Sequence, residues 1–242
     1  MPATRGTIRS ALTADRSTVG ALIITNDRWN ARMPSVGVIA IRRSVDPGEA
    51  PYATRLDAGS FAVAPRLVSV LAPEDADSPL GSLVSVISPA ELEAVEDRLC
   101  SFLQLPGVLG PIPRQVRALY ARDPYPVWGD IYLADPLIGG ERKRYVVVSP
   151  NAWNSVAPNA TIVRTTTATK HDHVAFPPVQ RGKAHACCGE ATSVPRNALR
   201  LASRDRPIPS TLTLGDMVSI ARGIATTHQL GDAVRRAGVE TL

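Results

Sequence analysis

Short apolar stretches rich in β-branched residues recur along this chain and are separated by polar loops. Residues 145–148 form an apolar run and residues 161–167 a β-branched run, and the length and composition of both favour strands over helices. Apolar residues also recur at helical spacing in two places. These two stripes consist of Leu92, Val95, Leu99 and Phe102, and of Leu214, Met217, Ala221 and Ile224. The pattern predicts a mainly β protein with short helices whose apolar stripes lie in the core.

Both predicted helices have a start signal directly before the apolar stripe. Ser88 is a good capping residue, Pro89 takes the first helical position and Glu91 the third. Thr213 and Asp216 repeat this spacing in the second case. We therefore expect helices that begin directly after Ser88 and Thr213.

The sequence contains an internal repeat. When the chain is shifted by 124 residues, positions 21–43 align with positions 145–167 without a gap. The pair Trp29-Asn30 then falls on Trp153-Asn154, although the chain has only three tryptophans. This match in register indicates a duplicated domain.

The repeat divides the chain into two predicted domains. Residues 1–103 form the first, residues 126–242 form the second, and the proline-containing segment 104–125 is the predicted linker. We expect each domain to be a small, mostly antiparallel β-barrel or curled sheet that is closed by its C-terminal helix.

The net charge of +5 is distributed unevenly along the chain. Residues 1–103 contain 10 basic and 12 acidic residues, whereas residues 104–242 contain 17 basic and 10 acidic residues. A polyanionic partner would therefore be bound mainly by the C-terminal half.

The apolar segments and the cysteines indicate the cellular compartment. No apolar run approaches the roughly 18 residues that span a bilayer, and no apolar stretch follows the first five residues as it would in a signal peptide. The three cysteines are too few for a disulfide framework. We expect a cytoplasmic protein that does not bind a membrane.

The segment 129–170 resembles the MazF/PemK family of toxin endoribonucleases. Gly129-Asp130-Ile131-Tyr132 matches the opening of the family pattern, Arg144 falls at the position of its catalytic Arg, and Thr167 at that of its catalytic Thr. The turn Ser149-Pro150-Asn151 departs from the family's Ser-Asn-Asp. The resemblance implies two tandem SH3-like, MazF-type β-barrels that form an intramolecular pseudo-dimer.

The reaction that the resemblance implies is sequence-preferring, metal-independent cleavage of single-stranded RNA. The 2′-OH of the ribose attacks the adjacent phosphorus, so the protein must position the strand, move a proton and stabilise charge. Arg144 would stabilise the phosphorus oxygens and Thr167 would donate a hydrogen bond, with Thr165 on the same strand face. Glu190 is the candidate general base. The family implies no cofactor, and its members are toxins that a separately encoded antitoxin neutralises.

Further RNA contacts are predicted on either side of Arg144 in the sequence. Arg142 and Lys143 precede it in a loop and suit phosphate binding. Trp153 and Asn154 offer a ring that can stack on a base and an amide that can hydrogen-bond it. Because the N-terminal repeat retains this Trp-Asn pair, a structural role is favoured.

The N-terminal repeat lacks all three candidate chemical residues. Gly20, Arg43 and Arg66 stand at the positions of the candidate Arg, Thr and Glu. We therefore predict that this half is a catalytically silent copy, and that the chain is a monomeric pseudo-dimer with one working site.

Three alternatives remain open. A CcdB-like gyrase-poisoning toxin shares the fold and acts by binding a topoisomerase, which requires neither Arg144 nor Thr167. A catalytically dead module that binds RNA or a protein fits the departure in the turn. The third is a zinc site, for which the candidate ligands are His171, His173, His185, Cys187 and Cys188.

Overall fold

The computed structural model describes residues 3–12, 17–110, 125–134, 142–168, 170–201 and 210–239. Within these ranges the chain forms two antiparallel sheets with short helices, which confirms the predicted mainly β fold class. The N-terminal half contains β1 (Thr7–Ala11), β2 (Thr18–Ile23), α1 (Asp27–Asn30), β3 (Ser35–Arg42), β4 (Ala53–Arg55), β5 (Phe61–Leu71), β6 (Leu80–Val86), α2 (Pro89–Phe102) and α3 (Leu105–Leu109). The C-terminal half contains β7 (Asp130–Ala134), β8 (Lys143–Val147), α4 (Asn151–Val156), β9 (Asn159–Thr166), β10 (Pro178–Val179), β11 (Ala184–Ala186), β12 (Thr192–Pro195), β13 (Ser210–Thr211), α5 (Leu214–Thr227) and α6 (Gly231–Arg236).

The two sheets have the same strand order. One runs β4-β5-β3-β2-β1-β6 and the other β10-β11-β9-β8-β7-β13, with β12 also paired to β9. A 3₁₀ turn at Cys188–Glu190 separates β11 from β12, and the two strands together correspond to the long strand β5. Val38 pairs with Val68 as Ile162 pairs with Thr192, 124 residues later. The repeat in the sequence is therefore also a repeat of strand pairing.

Each sheet has apolar residues on both faces. One face contributes residues such as Leu22 and Val146 to a large hydrophobic core that both halves share. The other face of each sheet contributes to a smaller cluster of its own, with Ile23 in the N-terminal half and Val147 in the C-terminal half. The alternation along β2 and β8 explains this division, because successive side chains of a strand point to opposite faces.

A network of side-chain hydrogen bonds holds the turn that follows β2, and the turn that follows β8 contains a similar network. The hydroxyl of Thr25 donates to Asn30 Oδ1 at 2.6 Å and accepts the N–H of Gly37 at 3.1 Å. In the C-terminal half, Ser149 donates to Asn154 Oδ1 at the same distance of 2.6 Å. Both amides also donate back to the carbonyl of the hydroxyl residue, at 3.0 Å. The Asn that is retained in both repeats therefore fixes a turn.

The retained tryptophans join the two halves. Trp29 packs against Phe176 of the C-terminal half, with 5.5 Å between ring centroids. Trp153 packs edge-on against Tyr52 and Phe102 of the N-terminal half, at 5.9 and 5.3 Å. Each half thus inserts its tryptophan into the other, which supports the structural role favoured from the sequence.

Both long helices begin where the capping signals predict. The hydroxyl of Ser88 accepts the N–H of Glu91 at 3.2 Å, and that of Thr213 accepts the N–H of Asp216 at 3.1 Å. Each helix is 14 residues long. None of the helices in the described ranges has the length and apolar composition that a bilayer span requires.

A short helix follows each long helix and packs on the other half. Gln104 and Gln229 adopt left-handed backbone angles, with φ of 52° and 53°, and turn the chain into α3 and α6. α3 packs on α5, and α6 packs on α2. Leu105 and Val108 of α3 are buried, so the predicted linker begins inside the shared core. The division at 104–125 stays a prediction, and residues 111–124 lie outside the described residues.

His228 at the end of α5 lies buried in the shared interior. Its Nδ1 is 3.1 Å from the carbonyl oxygen of Ile224, and its Nε2 packs against Gly37 of β3. Burial lowers the pKa of His228 from 6.5 to about 4, with a further contribution from Arg5. Because α5 begins 125 residues after α2, the position in the N-terminal half that is equivalent to His228 is Leu103.

We expect the folded protein to lose stability as the pH falls from about 6.5 to about 4. His228 becomes protonated in this range in the unfolded chain but not in the folded chain. The free energy of unfolding should therefore fall by about 3 kcal/mol between pH 6.5 and pH 4. Urea unfolding at pH 7 and pH 4.5 should show that His228→Leu depends less on pH than the wild type. An equal loss of stability in both proteins would contradict this prediction.

Candidate active site

Arg144 and Thr165 lie side by side on adjacent strands. They are directly paired between β8 and β9, and Thr165 donates its hydroxyl to the carbonyl oxygen of Arg144 at 3.2 Å. Residues paired in this way share a sheet face. The side chain of Arg144 is exposed and forms no ion pair within the described ranges. The pair therefore places an exposed guanidinium beside a strand hydroxyl.

The other candidate RNA-binding residues lie at the ends of β8 and β9, near this pair. β9 ends at Thr166, so Thr167 lies just beyond the strand and is exposed. Lys143 begins β8 and is half-buried, and Arg142 before it is exposed. Residues 135–141 of the preceding loop lie outside the described residues. The strand ends thus bring three basic side chains and two threonines into one region.

Glu190 is held by an arginine that the sequence analysis did not select. Its carboxylate oxygens accept two hydrogen bonds from Arg164, at 2.5 Å from Nε and 2.7 Å from the terminal nitrogen. This pairing raises the pKa of Arg164 above its usual value. Tyr145 lies opposite Arg164 on β8, and burial raises its pKa. The three side chains form a compact, partly buried polar group.

The structure does not bring all three candidate chemical residues to one face of the sheet. Arg144 pairs with Thr165, whereas Tyr145 pairs with Arg164. Because successive residues of a strand alternate, Arg164 and its partner Glu190 lie on the face opposite to Arg144. The phosphate-binding and proton-transferring groups predicted from the sequence are therefore separated by the sheet.

Trp153 and Asn154 are inside the protein. Asn154 is fully buried, and the Trp153 indole donates to the carbonyl oxygen of Asn159 at 3.1 Å. Arg196 also donates to the carbonyl oxygen of Asn154 at 2.7 Å. All of these groups bind other parts of the protein, so their contact with RNA stays a prediction without a structural counterpart.

The equivalent region of the N-terminal half has a different chemistry. Gly20 stands in place of Arg144, and a Cβ there would lie 3.0 Å from the carbonyl oxygen of Arg9. Arg66 stands in place of Glu190 and binds the buried carboxylate of Glu49 at 2.6 Å. Structural ion pairs and a tightly packed glycine thus occupy this half.

The histidine and cysteine cluster is only partly assembled. The rings of His173 and His185 stack at 6.0 Å between centroids. Cys187 and Cys188 are buried, and burial raises the pKa of both thiols, that of Cys187 to about 12. Within the described ranges, no three His, Cys, Asp or Glu side chains are arranged to hold a metal ion.

Comparisons with known proteins give matches among solved structures. No protein-family model matches the sequence, and no curated protein matches it. An endoribonuclease in complex with its cognate antitoxin from Mycobacterial species is 20% identical, with a TM-score of 0.37, over 43% of this chain and 96% of its own. An endoribonuclease from Mycobacterial species is 22% identical, with a TM-score of 0.36, over 44% and 93%. A MazE–MazF complex from Deinococcus radiodurans is 17% identical, with a TM-score of 0.34, over 45% and 98%.

Over less than half of its length, this chain is similar in fold to MazF-type endoribonucleases. At these identities and TM-scores the likeness assigns neither an activity nor any residue role to this chain.

Arg164 is the polar residue that the sequence analysis missed. Its counterpart 124 residues earlier is Ala40, while the counterpart of Glu190 is Arg66. Both members of the ion pair are thus absent from the N-terminal half. The spacing of Arg164 and Glu190 along the chain gives no local signal that would have paired them.

Proposed function

We propose that this protein is an endoribonuclease that cuts single-stranded RNA through attack by the substrate's own 2′-OH. It would be the toxin of a toxin–antitoxin pair, acting in the cytoplasm and neutralised by a separately encoded antitoxin. The observation that supports this most is Arg144, which is exposed, has no ion-pair partner within the described ranges and lies beside Thr165. The N-terminal half has Gly20 at the equivalent position.

In the proposed reaction, Arg144 binds the non-bridging oxygens of the scissile phosphate. Its planar donors match two phosphate oxygens, and its charge offsets the charge that develops on phosphorus. The Thr165 hydroxyl is engaged with the carbonyl of Arg144, whereas Thr167 is exposed beyond the strand end. Thr167 would therefore donate to the phosphate while Thr165 holds the backbone of Arg144 in place.

The proton transfer is assigned to Glu190 as part of the same proposal. Arg164 fixes the carboxylate in one orientation, with both of its oxygens bonded. To accept the proton of the 2′-OH, Glu190 would have to act from the face of the sheet that carries Tyr145. The RNA strand would then have to pass around the end of β9.

We expect Glu190→Gln to reduce cleavage about 100-fold or more if the carboxylate accepts the proton, because loss of a positioned base removes a contribution of that size. Arg164→Met is the comparison, since it removes the ion pair and keeps the carboxylate. Cleavage by Glu190→Gln at the wild-type rate would exclude Glu190 as the base and leave it a role in holding Arg164.

The proposed function is tested by incubating the protein with a long single-stranded RNA in EDTA and mapping the ends of the fragments. We expect cleavage to survive chelation, because the nucleophile is the substrate's 2′-OH and not a metal-bound water. The fragments should carry 2′,3′-cyclic phosphate and 5′-OH ends. A strict requirement for Zn²⁺ or Mg²⁺ would contradict this mechanism.

One observation favours a second candidate, a catalytically dead module that binds RNA or a protein. Glu190 is occupied by Arg164 on the face opposite to Arg144. The same incubation separates the candidates, since the second predicts RNA that is bound but remains intact. Intact RNA together with inhibited gyrase supercoiling would instead indicate the CcdB-like alternative.

A further inference from the structure

A groove of about 710 Å³ lies between the two halves of the chain. Its walls are the region of α1 in the N-terminal half and the segment 171–176 in the C-terminal half, and the end of α5 closes one side. The charged and titratable side chains along it are Arg28, Arg32, His171, Asp172 and His173. Among the alternatives discussed above, only the zinc site involves residues of this groove, His171 and His173.

The groove is explained by one difference between the two repeats. Next to Trp153, the ring of Phe102 is inserted against both Tyr52 and Trp153, at 5.2 and 5.3 Å between centroids. The residue at the end of α5 that corresponds to Phe102 is Thr227, which lines the groove. A threonine is much smaller than a phenylalanine, so the space beside Trp29 stays open.

The exposed lining is cationic. Arg28 and Arg32 are four residues apart, both are exposed, and neither forms an ion pair within the described ranges. Asp172 is the only acidic residue among the described residues that line the groove, and its carboxylate accepts the N–H groups of Val174 and Ala175 at 3.2 and 3.1 Å. The backbone of the segment 174–175 therefore already binds the carboxylate of Asp172.

A further cation and the buried aromatic floor favour an anionic strand over a peptide. The Lys170 ammonium lies 4.9 Å from the ring centroid of Phe176 and extends the positive rim. Trp29 and Phe176 are only 5% and 7% exposed, so they offer little surface to the apolar anchors of a peptide. Arginine forks match phosphate oxygens well.

The floor of the groove packs against the turn that carries Glu190. A Cβ at Gly189 would lie 2.3 Å from Cε2 of Trp29, so the floor of the groove rests directly on the turn that carries Glu190. Cys187 of the same turn belongs to the hydrophobic cluster of Trp29 and Phe176. The groove thus lies next to the turn that carries Glu190.

We propose that this groove binds the phosphate backbone of the single-stranded RNA that flanks the cut, with Arg28 and Arg32 as the main contacts. The proposal rests on the proposed function and gives the silent N-terminal half a role in substrate binding. The C-terminal half would supply the candidate catalytic residues, and the N-terminal half would supply the cations that hold the flanking strand.

The test uses the full chain and a long single-stranded RNA with 2′-deoxy substitutions that prevent cleavage. Arg28→Ala/Arg32→Ala should bind this RNA about 10-fold or more weakly, and its log Kd against log salt should have a slope smaller by about 1 to 2. Arg55→Ala/Arg222→Ala removes two exposed arginines outside the groove and should bind like the wild type. Thr227→Phe adds the missing ring without changing the charge and should also weaken RNA binding. If this variant does not fold, the result for Arg28→Ala/Arg32→Ala tests the proposal.

The outcomes separate this proposal from the proposed function. If the wild type neither binds nor cuts RNA, the proposed function fails and the groove proposal fails with it. If the wild type cuts RNA and the Arg28/Arg32 variant keeps wild-type affinity and salt slope, only the groove proposal fails. Unchanged RNA binding with lost binding of a polyglutamate peptide would show that the groove takes an acidic peptide instead.

Discussion

Replacing Arg144 with alanine is expected to slow RNA cleavage about 100-fold to 1,000-fold, the range found when a preorganised charge-stabilising donor is removed. The guanidinium is exposed and has no ion-pair partner within the described ranges, so its charge is available to a phosphate. Single-turnover cleavage of a short RNA in EDTA measures the chemical step directly. Because Arg144 makes few packing contacts, the free energy of unfolding should change by less than about 0.5 kcal/mol.

Two further variants make this result specific. Arg222→Ala removes an exposed arginine on α5 and should leave cleavage unchanged. Arg144→Lys keeps a positive charge but not the planar fork, so it should recover only part of the rate. Wild-type cleavage by Arg144→Ala would remove this residue from the proposed site, and with it the main support for the proposed function.

Replacing Trp153 with alanine is expected to destabilise the whole protein by about 3 to 5 kcal/mol, as for other large-to-small substitutions in a core. Its ring is 7% exposed and packs against Tyr52 and Phe102 across the junction of the halves. Because one hydrophobic core contains residues of both halves, a single unfolding transition should shift as a unit. Urea unfolding followed by circular dichroism measures this change.

Val156→Ala is the matched control on the same short helix. Val156 is 78% exposed, so its truncation should change the free energy of unfolding by less than about 0.5 kcal/mol. Trp29→Ala should resemble Trp153→Ala, because Trp29 crosses the junction in the opposite direction. Two separate transitions, of which only one responds to Trp153→Ala, would show that the halves unfold independently.

Features that depend on neighbours in the chain could be predicted from the sequence. The β-branched runs became strands, and the capping signals at Ser88 and Thr213 became the starts of α2 and α5. The 124-residue shift also matched the strand register and the turn network of Asn30 and Asn154. Such features are readable because spacing, capping and turn chemistry act over a few residues, and because duplicated residues form duplicated contacts.

The orientation and the surroundings of Glu190 depend on tertiary packing and could not be predicted from the sequence. The alternation along β9 places Arg164 and Thr165 on opposite faces, but Glu190 lies on a 3₁₀ turn, whose direction no strand periodicity predicts. Its partner Arg164 comes from 26 residues earlier in the chain. A pair of this kind depends on how β11, the turn and β12 fold over β9.

The junction of the halves was likewise decided by tertiary packing. Nothing in the local pattern shows that α3 packs on α5, or that α6 packs on α2. Thr227 lines the groove beside Trp29, whereas the other repeat has Phe102 at the equivalent position. This difference in size leaves a groove only when both halves are in contact. Contacts between residues more than 100 positions apart depend on the shape and volume of the assembled core, which the periodicity of a single segment does not record.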